Sequence, residues 1–296
     1  MFRTLVILRH TLREAMVQPI YSVLLLVGAA VLVVYALLPF FTLSEDAVMF
    51  KAVGLDVILL LVLIATLFAT SKSVFDEIED RTMLTLMSKP LRRGEVLLGK
   101  FLGISAAALV AVAVLGFVLG LCLWLRIPGD YMLDPNSLDD RTLREIANWR
   151  RHHLAGLLPQ LVLLWLQLSV LTAVGVALST RLPLVVNLPL VILLYMAGNL
   201  TRFLFGLENS TSMLGWALIH LLATVLPYLA VFDLRDVTVY GRLLTGQFAK
   251  DINAVPLGQV WLYVLTATGY AAAYSLLALL AGLWLFRRRE LGGAEG

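Results

Sequence analysis

Apolar positions along this chain fall in long unbroken blocks, not in the every-third-or-fourth rhythm of a soluble helix. Residues 20–40 read IYSVLLLVGAAVLVVYALLPF. A helix that crosses a bilayer needs about 20 mostly apolar residues. Further blocks of that kind cover about 53–71, 97–125, 154–179, 183–205 and 258–286. The pattern predicts an all-α polytopic membrane protein with six transmembrane helices, forming one domain over 1–296. A seventh apolar block, 213–231, holds His220 and Pro227.

Composition agrees. Hydrophobic residues make up 60% of the 296 positions and charged residues only 15%, with a mean hydropathy of +0.90. Soluble domains carry about 25% charged residues, and disorder needs low hydrophobicity, so both classes are excluded. The net charge of +3 reads as membrane orientation, and no nucleic-acid partner is expected. The single cysteine, Cys122, permits no intrachain disulfide and reads as a core residue.

Charge also orders the topology. With a cytoplasmic N-terminus and six spans, the inside segments are 1–19, 72–96, 180–182 and 287–296. They hold more than half of the 23 Lys and Arg and fewer than half of the 20 acids, as the positive-inside rule requires. A seventh span would carry Arg287, Arg288 and Arg289 outside. The 213–231 block is therefore read as a re-entrant or outer-leaflet helix before the last span, which needs protein around its irregular backbone. Both termini are expected in the cytoplasm and the chain in the cell's inner membrane.

Three flanking segments add detail. Residues 1–19 do not read as a cleavable leader, because the apolar run that follows is too long. Phe2, Leu5, Val6, Leu12 and Met16 fall on one helical face, with Arg3, Arg9 and Arg13 elsewhere. This predicts an amphipathic helix on the inner surface, in contact with lipid; the alternative is a frayed basic terminus that only orients the first span. The outer segments are 126–153 and 206–257. In the first, Ser137 is placed to cap a short amphipathic helix through Leu138, Leu143, Ile146 and Trp149. Gly99–Gly103 and Gly116–Gly120 form small-xxx-small pairs that permit close helix approach.

Catalytic motifs are lacking. There is no G-x-x-x-x-G-K-[ST] loop, no H-E-x-x-H and no C-x-x-C. No catalytic, cofactor-binding or metal-binding residue is expected on the chain. His152 and His153 are adjacent and would point apart on a helix, a poor basis for a metal site. Polar residues within the spans are sparse: Gln160, Gln167, Asn187, Asn199, His220 and Gln259. Such residues either bond a neighbouring helix or line a pathway or subunit interface. Gln167, Asn187, Asn199 and His220 are the candidates for the second role. A membrane enzyme would need acid/base or metal groups clustered in the spans; only scattered amides, a histidine and Asp56 are there.

The inner loop is the most informative stretch. Residues 71–103 read SKSVFDEIEDRTMLTLMSKPLRRGEVLLGKFLG. A helix-compatible segment runs to Ser88, with Val74, Phe75, Ile78, Thr82 and Leu86 near one face. Asp76, Glu77, Glu79 and Asp80 form an acidic patch, and Pro90 stops the helix. An anionic inner leaflet would repel that patch, which favours docking on a soluble partner over lying on lipid.

This loop resembles the one after the second span in permease subunits of type-2 ABC transporters. The matching positions are Glu77, Glu79, Thr82, Leu86, Lys89, Pro90, Arg93, Gly99, Lys100 and Gly103, while Arg81 stands where a glycine is common. The resemblance implies a permease of an ATP-driven exporter that pairs with a separate ABC ATPase subunit and with a second permease, identical or paralogous. ATP and Mg would then bind the ATPase, not this chain. It also implies that the segment after the second span is a coupling helix, with Phe75, Asp76, Glu77, Ile78, Glu79, Arg81, Thr82, Met83, Pro90 and Arg93 as its contact residues. An alternative with the same docking residues is a mechanotransmission or assembly subunit, which moves an outer partner without cargo crossing the bilayer.

Overall fold

The computed structural model describes residues 2–38, 46–79, 93–130, 133, 136, 139–206, 226–240, 242–245 and 254–287. Among the described residues, seven helices carry the architecture: α1 (Phe2–Val17), α2 (Pro19–Leu37), α3 (Asp46–Thr70), α4 (Arg93–Asp130), α5 (Asp140–Ser179), α6 (Leu184–Gly206) and α7 (Leu257–Arg287). Five helical stretches, containing α2, α3, α4, α5 and α7, are long and apolar enough to cross a membrane, and α6 is apolar over Leu184–Leu200. The protein is thus a polytopic, almost wholly helical membrane protein. The exception is a two-residue parallel bridge between β1 (Leu243–Leu244) and β2 (Val255–Pro256).

Local signals set the boundaries. Pro19 opens α2 from the extended Gln18, where a missing amide costs nothing. Asp139 caps α5, accepting from the Arg141 amide at 3.4 Å. The connection Thr180–Pro183 then turns the chain into α6. Pro128, Pro159 and Pro189 lie inside helices, as membrane helices tolerate when neighbours satisfy the freed carbonyls.

Helix α4 is the hub. It packs on α1, α2, α3 and α5, while α7 lies along α5. The core includes Leu55, Ile58, Ile104, Leu115, Leu119, Leu163 and Val170, all fully buried. Outward positions such as Leu26, Leu262 and Leu265 are about 70% exposed, which is expected of side chains whose solvent is lipid.

Two expectations change, and a third falls mostly outside the described residues. First, α1 is helical but sits differently. Thr11 and Ala15 are buried, and Leu5, Val6 and Met16 are exposed. A Cβ on Gly99 would approach Ile7 to 2.8 Å, and one on Gly103 would approach Thr11 Cβ to 2.7 Å. The Gly99–Gly103 pair therefore admits α1 against α4, so Leu12 faces protein while Leu5, Val6 and Met16 face away. Second, the amphipathic helix expected in segment 126–153 is not a separate short element. Helix α4 runs through Asp130, and α5 starts at Asp140 as one helix with the fourth span; Ser137 and Leu138 fall outside the described residues. Polar sequence continues a helix beyond the bilayer when pairs such as Arg141–Glu145 (3.4 Å) lie one turn apart. Third, only the end of block 213–231 is described. It is irregular at Leu226–Tyr228 and forms a 3-10 turn at Leu229–Phe232. The Tyr263 hydroxyl donates to the Val231 carbonyl, and the Tyr228 amide donates to the Tyr270 hydroxyl, both at 2.8 Å. Helix α7 thus supplies partners for non-helical backbone.

Candidate functional site

Two polar clusters stand out from the apolar body, one at each end of α3. At its C-terminal end, α3 does not stop where its apolar run stops. It widens into a π-helical turn, Ser71–Asp76, and continues through Glu77–Glu79. Insertions of this kind are concentrated at functional positions. Lys72, Asp76 and Glu79 are exposed, Phe75 is half-buried, and Ile78 is buried in the core. Ile78 therefore packs beneath the segment.

Glu77 faces inward. Its Oε2 lies 2.7 Å from Lys100 Nζ, and Lys100 also donates to the Ser73 hydroxyl at 3.0 Å and to the Ser73 carbonyl. Lys100 is 2% exposed, so its ammonium is neutralised by Glu77 and solvated by Ser73, as a buried charge requires. Residues Glu77 and Lys100, singled out by the same motif, thus tie the end of α3 to the start of α4.

Arg93 serves the same end of the molecule. Its Nη1 donates to the Phe286 and Arg287 carbonyls at 3.1 and 3.4 Å, with the guanidinium 5.2 Å from the Phe286 ring centre. Arg181 donates to the Leu285 carbonyl through Nε and Nη2 at 3.3 and 3.1 Å. Two cations therefore satisfy the last carbonyls of α7 and complement its dipole. Arg81, Thr82, Met83 and Pro90 lie outside the described residues.

The second cluster, toward the N-terminal end of α3, surrounds a cavity of about 110 Å³ lined by Asp56, Leu59, Gln160, Gln167, Tyr195, Asn199, Phe232, Asp233 and Arg235. Asp56 is ten residues into α3, about 15 Å along it, where an unpartnered carboxylate would be costly. Arg235 answers it: Nη2 donates to Asp56 Oδ1 at 2.6 Å, and Nε lies 3.5 Å from Asp233 Oδ1. Arg235 is carried by a single helical turn, Arg235–Thr238. That turn is held down twice more. The Thr238 hydroxyl donates to Gln160 Oε1 at 3.1 Å, and Lys51 Nζ donates to the Thr238 and His153 carbonyls at 2.6 and 3.1 Å. Gln160 Nε2 donates to the Phe232 carbonyl at 3.3 Å.

The structure sorts the pathway candidates. Gln167 and Asn199 come together in the cavity. Asn187 does not: it is fully buried, donating to the Gly175 carbonyl at 3.2 Å and the Ser179 hydroxyl at 2.7 Å, which fastens α6 to α5. His220 lies outside the described residues. His152 is also buried, its Nδ1 3.1 Å from the Thr245 hydroxyl. Lys51, Tyr195, Asp233 and Arg235 were not legible as site residues. A lysine and an aspartate at the head of an apolar helix were the available signal, since each demands a partner. The arrangement offers one arginine between two carboxylates, ringed by amides and a phenol. It can bind polar groups or hold the outer segment; it presents no activated nucleophile.

Residues 36–291 match the family described as ABC-2 family transporter protein. No curated protein matches the chain. The match covers everything from the end of α2 to just past α7, and the chain belongs to the ABC-2 transporter family.

Proposed function

We propose that this membrane permease of an ABC transporter works as the export subunit of an ATP-driven pump, engaging a separate ATPase through residues 72–96. The observation that supports the reading most is the unbroken backbone from α3 through the π-helical turn to Glu79, fastened to α4 by Lys100. A push on the exposed Asp76 and Glu79 side would reach two spans at once, whereas a flexible loop would absorb it. ATP and Mg belong to the partner, and the permease itself is non-catalytic. Two permeases and two ATPases form the working unit in the inner membrane, with both permease termini in the cytoplasm.

A second reading draws on the other end of the same helix. Asp56 and Lys51 on α3 hold the turn Arg235–Thr238, so α3 mechanically joins the coupling segment to the outer segment. In that reading ATP hydrolysis moves an outer partner with no cargo crossing.

Co-purification with an ABC ATPase tests the coupling step. Asp76→Lys with Glu79→Lys should leave membrane insertion intact and weaken ATPase association tenfold or more. Charge-assisted contacts contribute about 1.5–3 kcal/mol each, and about 1.4 kcal/mol is a factor of ten. Arg144→Glu on the outer part of α5 is the control. Normal association and normal ATP-linked activity in the double variant would remove this segment from the coupling role. Substrate flux in vesicles separates export from mechanotransmission.

A further inference from the structure

Between α4 and α5 runs an apolar groove of about 600 Å³, lined on one side by Leu109 to Trp124 and on the other by Leu154 to Val162. It exists because α4 carries glycines there. A Cβ on Gly116 would meet Leu161 at 2.5 Å, so the helices already touch at that level. At Gly120 the nearest atoms to a Cβ would be Leu157 and Leu154, at 3.4 and 3.7 Å, and the space beyond is unfilled.

The groove has a polar mouth. Arg150 is one turn before Leu154 on the same stripe of α5. Its guanidinium lies 4.3 Å from the Trp124 ring centre, and Nε donates to the Trp124 carbonyl at 3.1 Å. Among the described residues, Nη1 and Nη2 have no hydrogen-bond partner. Among the described residues no carboxylate pairs with Arg150, whereas Arg126 and Arg141 each have one and Arg235 has two. The mouth is at headgroup depth. Trp124 is about 36 Å along α4 from Lys100, a distance that spans the ~30 Å hydrocarbon core with some margin, and tryptophan marks that boundary.

We propose that this groove is a binding site for one anionic phospholipid of the outer leaflet, its phosphate on Arg150 and an acyl chain along Gly120. Planar guanidinium recognises phosphate through paired donors. The groove runs about 22 Å along α4, longer than the ~15 Å of one leaflet's hydrocarbon. The site stands independently of the coupling reading, because no inner-end residue takes part.

Native mass spectrometry of the full chain in detergent, titrated with phosphatidylglycerol or phosphatidylcholine, tests it. The wild type should retain one phosphatidylglycerol in preference to phosphatidylcholine. Arg150→Ala should lower phosphatidylglycerol retention at least fivefold and abolish the preference, and Arg150→Lys should restore part of both. Gly120→Leu, whose Cβ would meet Leu157 at an ordinary 3.4 Å and whose remaining atoms would enter the groove, should lower retention of both lipids while the chain elutes as before. Inorganic phosphate alone should not compete; if it displaces the lipid, the apolar groove is not part of the site and the proposal fails. Unchanged lipid retention in Arg150→Ala and Gly120→Leu would also overturn it. So would efficient cross-linking of Leu158→Cys between two copies in native membranes, in a Cys122→Ser background, because the face would then be a permease interface.

Discussion

Lys100 on α4 reaches back to Glu77 at 2.7 Å, and with its bonds to Ser73 this contact ties the end of α3 to the start of α4. The ion pair is buried on the lysine side and one-fifth exposed on the glutamate side. Its value lies less in net stability than in what its loss would leave behind, an uncompensated charge between two spans.

Lys100→Met should therefore be destabilising. Breaking a buried pair from one side costs about 3–5 kcal/mol, and partial exposure of Glu77 places the effect near the lower figure. Glu77→Gln, which keeps an acceptor for the ammonium but removes the charge, should cost less than Lys100→Met. Thermal unfolding of the purified chain in detergent gives the order; equal melting temperatures for Lys100→Met and wild type would show that the tie carries no load.

Asp56 and Arg235 lie 179 positions apart in sequence. Asp56→Ala should loosen the turn Arg235–Thr238 and raise hydrogen exchange over residues 229–240 without changing exchange in α7 beyond Tyr274. The reversed pair, Asp56→Arg with Arg235→Asp, should recover part of the protection. Failure of the reversal to improve on either single change would mean that the ion pair does not hold the outer segment.

Gly103 faces the backbone of α1, with a Cβ there 2.8 Å from the Leu8 carbonyl oxygen. Gly103→Leu should force α1 off α4 and cost about 1–3 kcal/mol, the usual range for overpacking. Gly129→Ala, with nothing within 4 Å of the added carbon, is the control. Protease cutting within residues 1–18 should speed up in the first variant only.

The start of α4, the turn after α5 and the end of α7 share one face of the molecule, because Arg93 and Arg181 both bond the last carbonyls of α7. A thiol at Gly293→Cys should accordingly be labelled from the cytoplasmic side. Labelling from the outside of intact cells would overturn the orientation.

Hydropathy alone located the cores of α2, α3, α4, α5, α6 and α7, because a bilayer imposes a length of apolar sequence that few other environments do. It could not say where a helix ends once it leaves the bilayer, so the segment before the fourth span reads as a separate short amphipathic helix while the backbone simply runs from Asp140 into that span. Periodicity in α1 identifies apolar positions but not which of two apolar surroundings each meets, so Leu5 and Leu12 looked alike although only Leu12 packs on α4. Gln167 and Asn199 were visible as polar residues in apolar runs. Asn187 was visible for the same reason and proved to be an interhelical fastening. The partner of Asp56 was invisible, since Arg235 sits in a turn-rich segment with nothing local to mark it. The π-helical turn at Ser71–Asp76 has no compositional signature at all.

The lengths of α4 and α5 fix a height. Helices of 38 and 40 residues measure about 57 and 60 Å, against about 30 Å of hydrocarbon, and an average tilt of about 20° shortens them little. With Lys100 at one hydrocarbon boundary, α4 runs about 45 Å from there to Asp130 and stands about 15 Å beyond the other boundary, with α5 beside it, as a two-helix mast. Any macromolecule approaching from that side meets the mast before it meets the bilayer, and its standoff from the lipid is set by a rigid ruler of backbone.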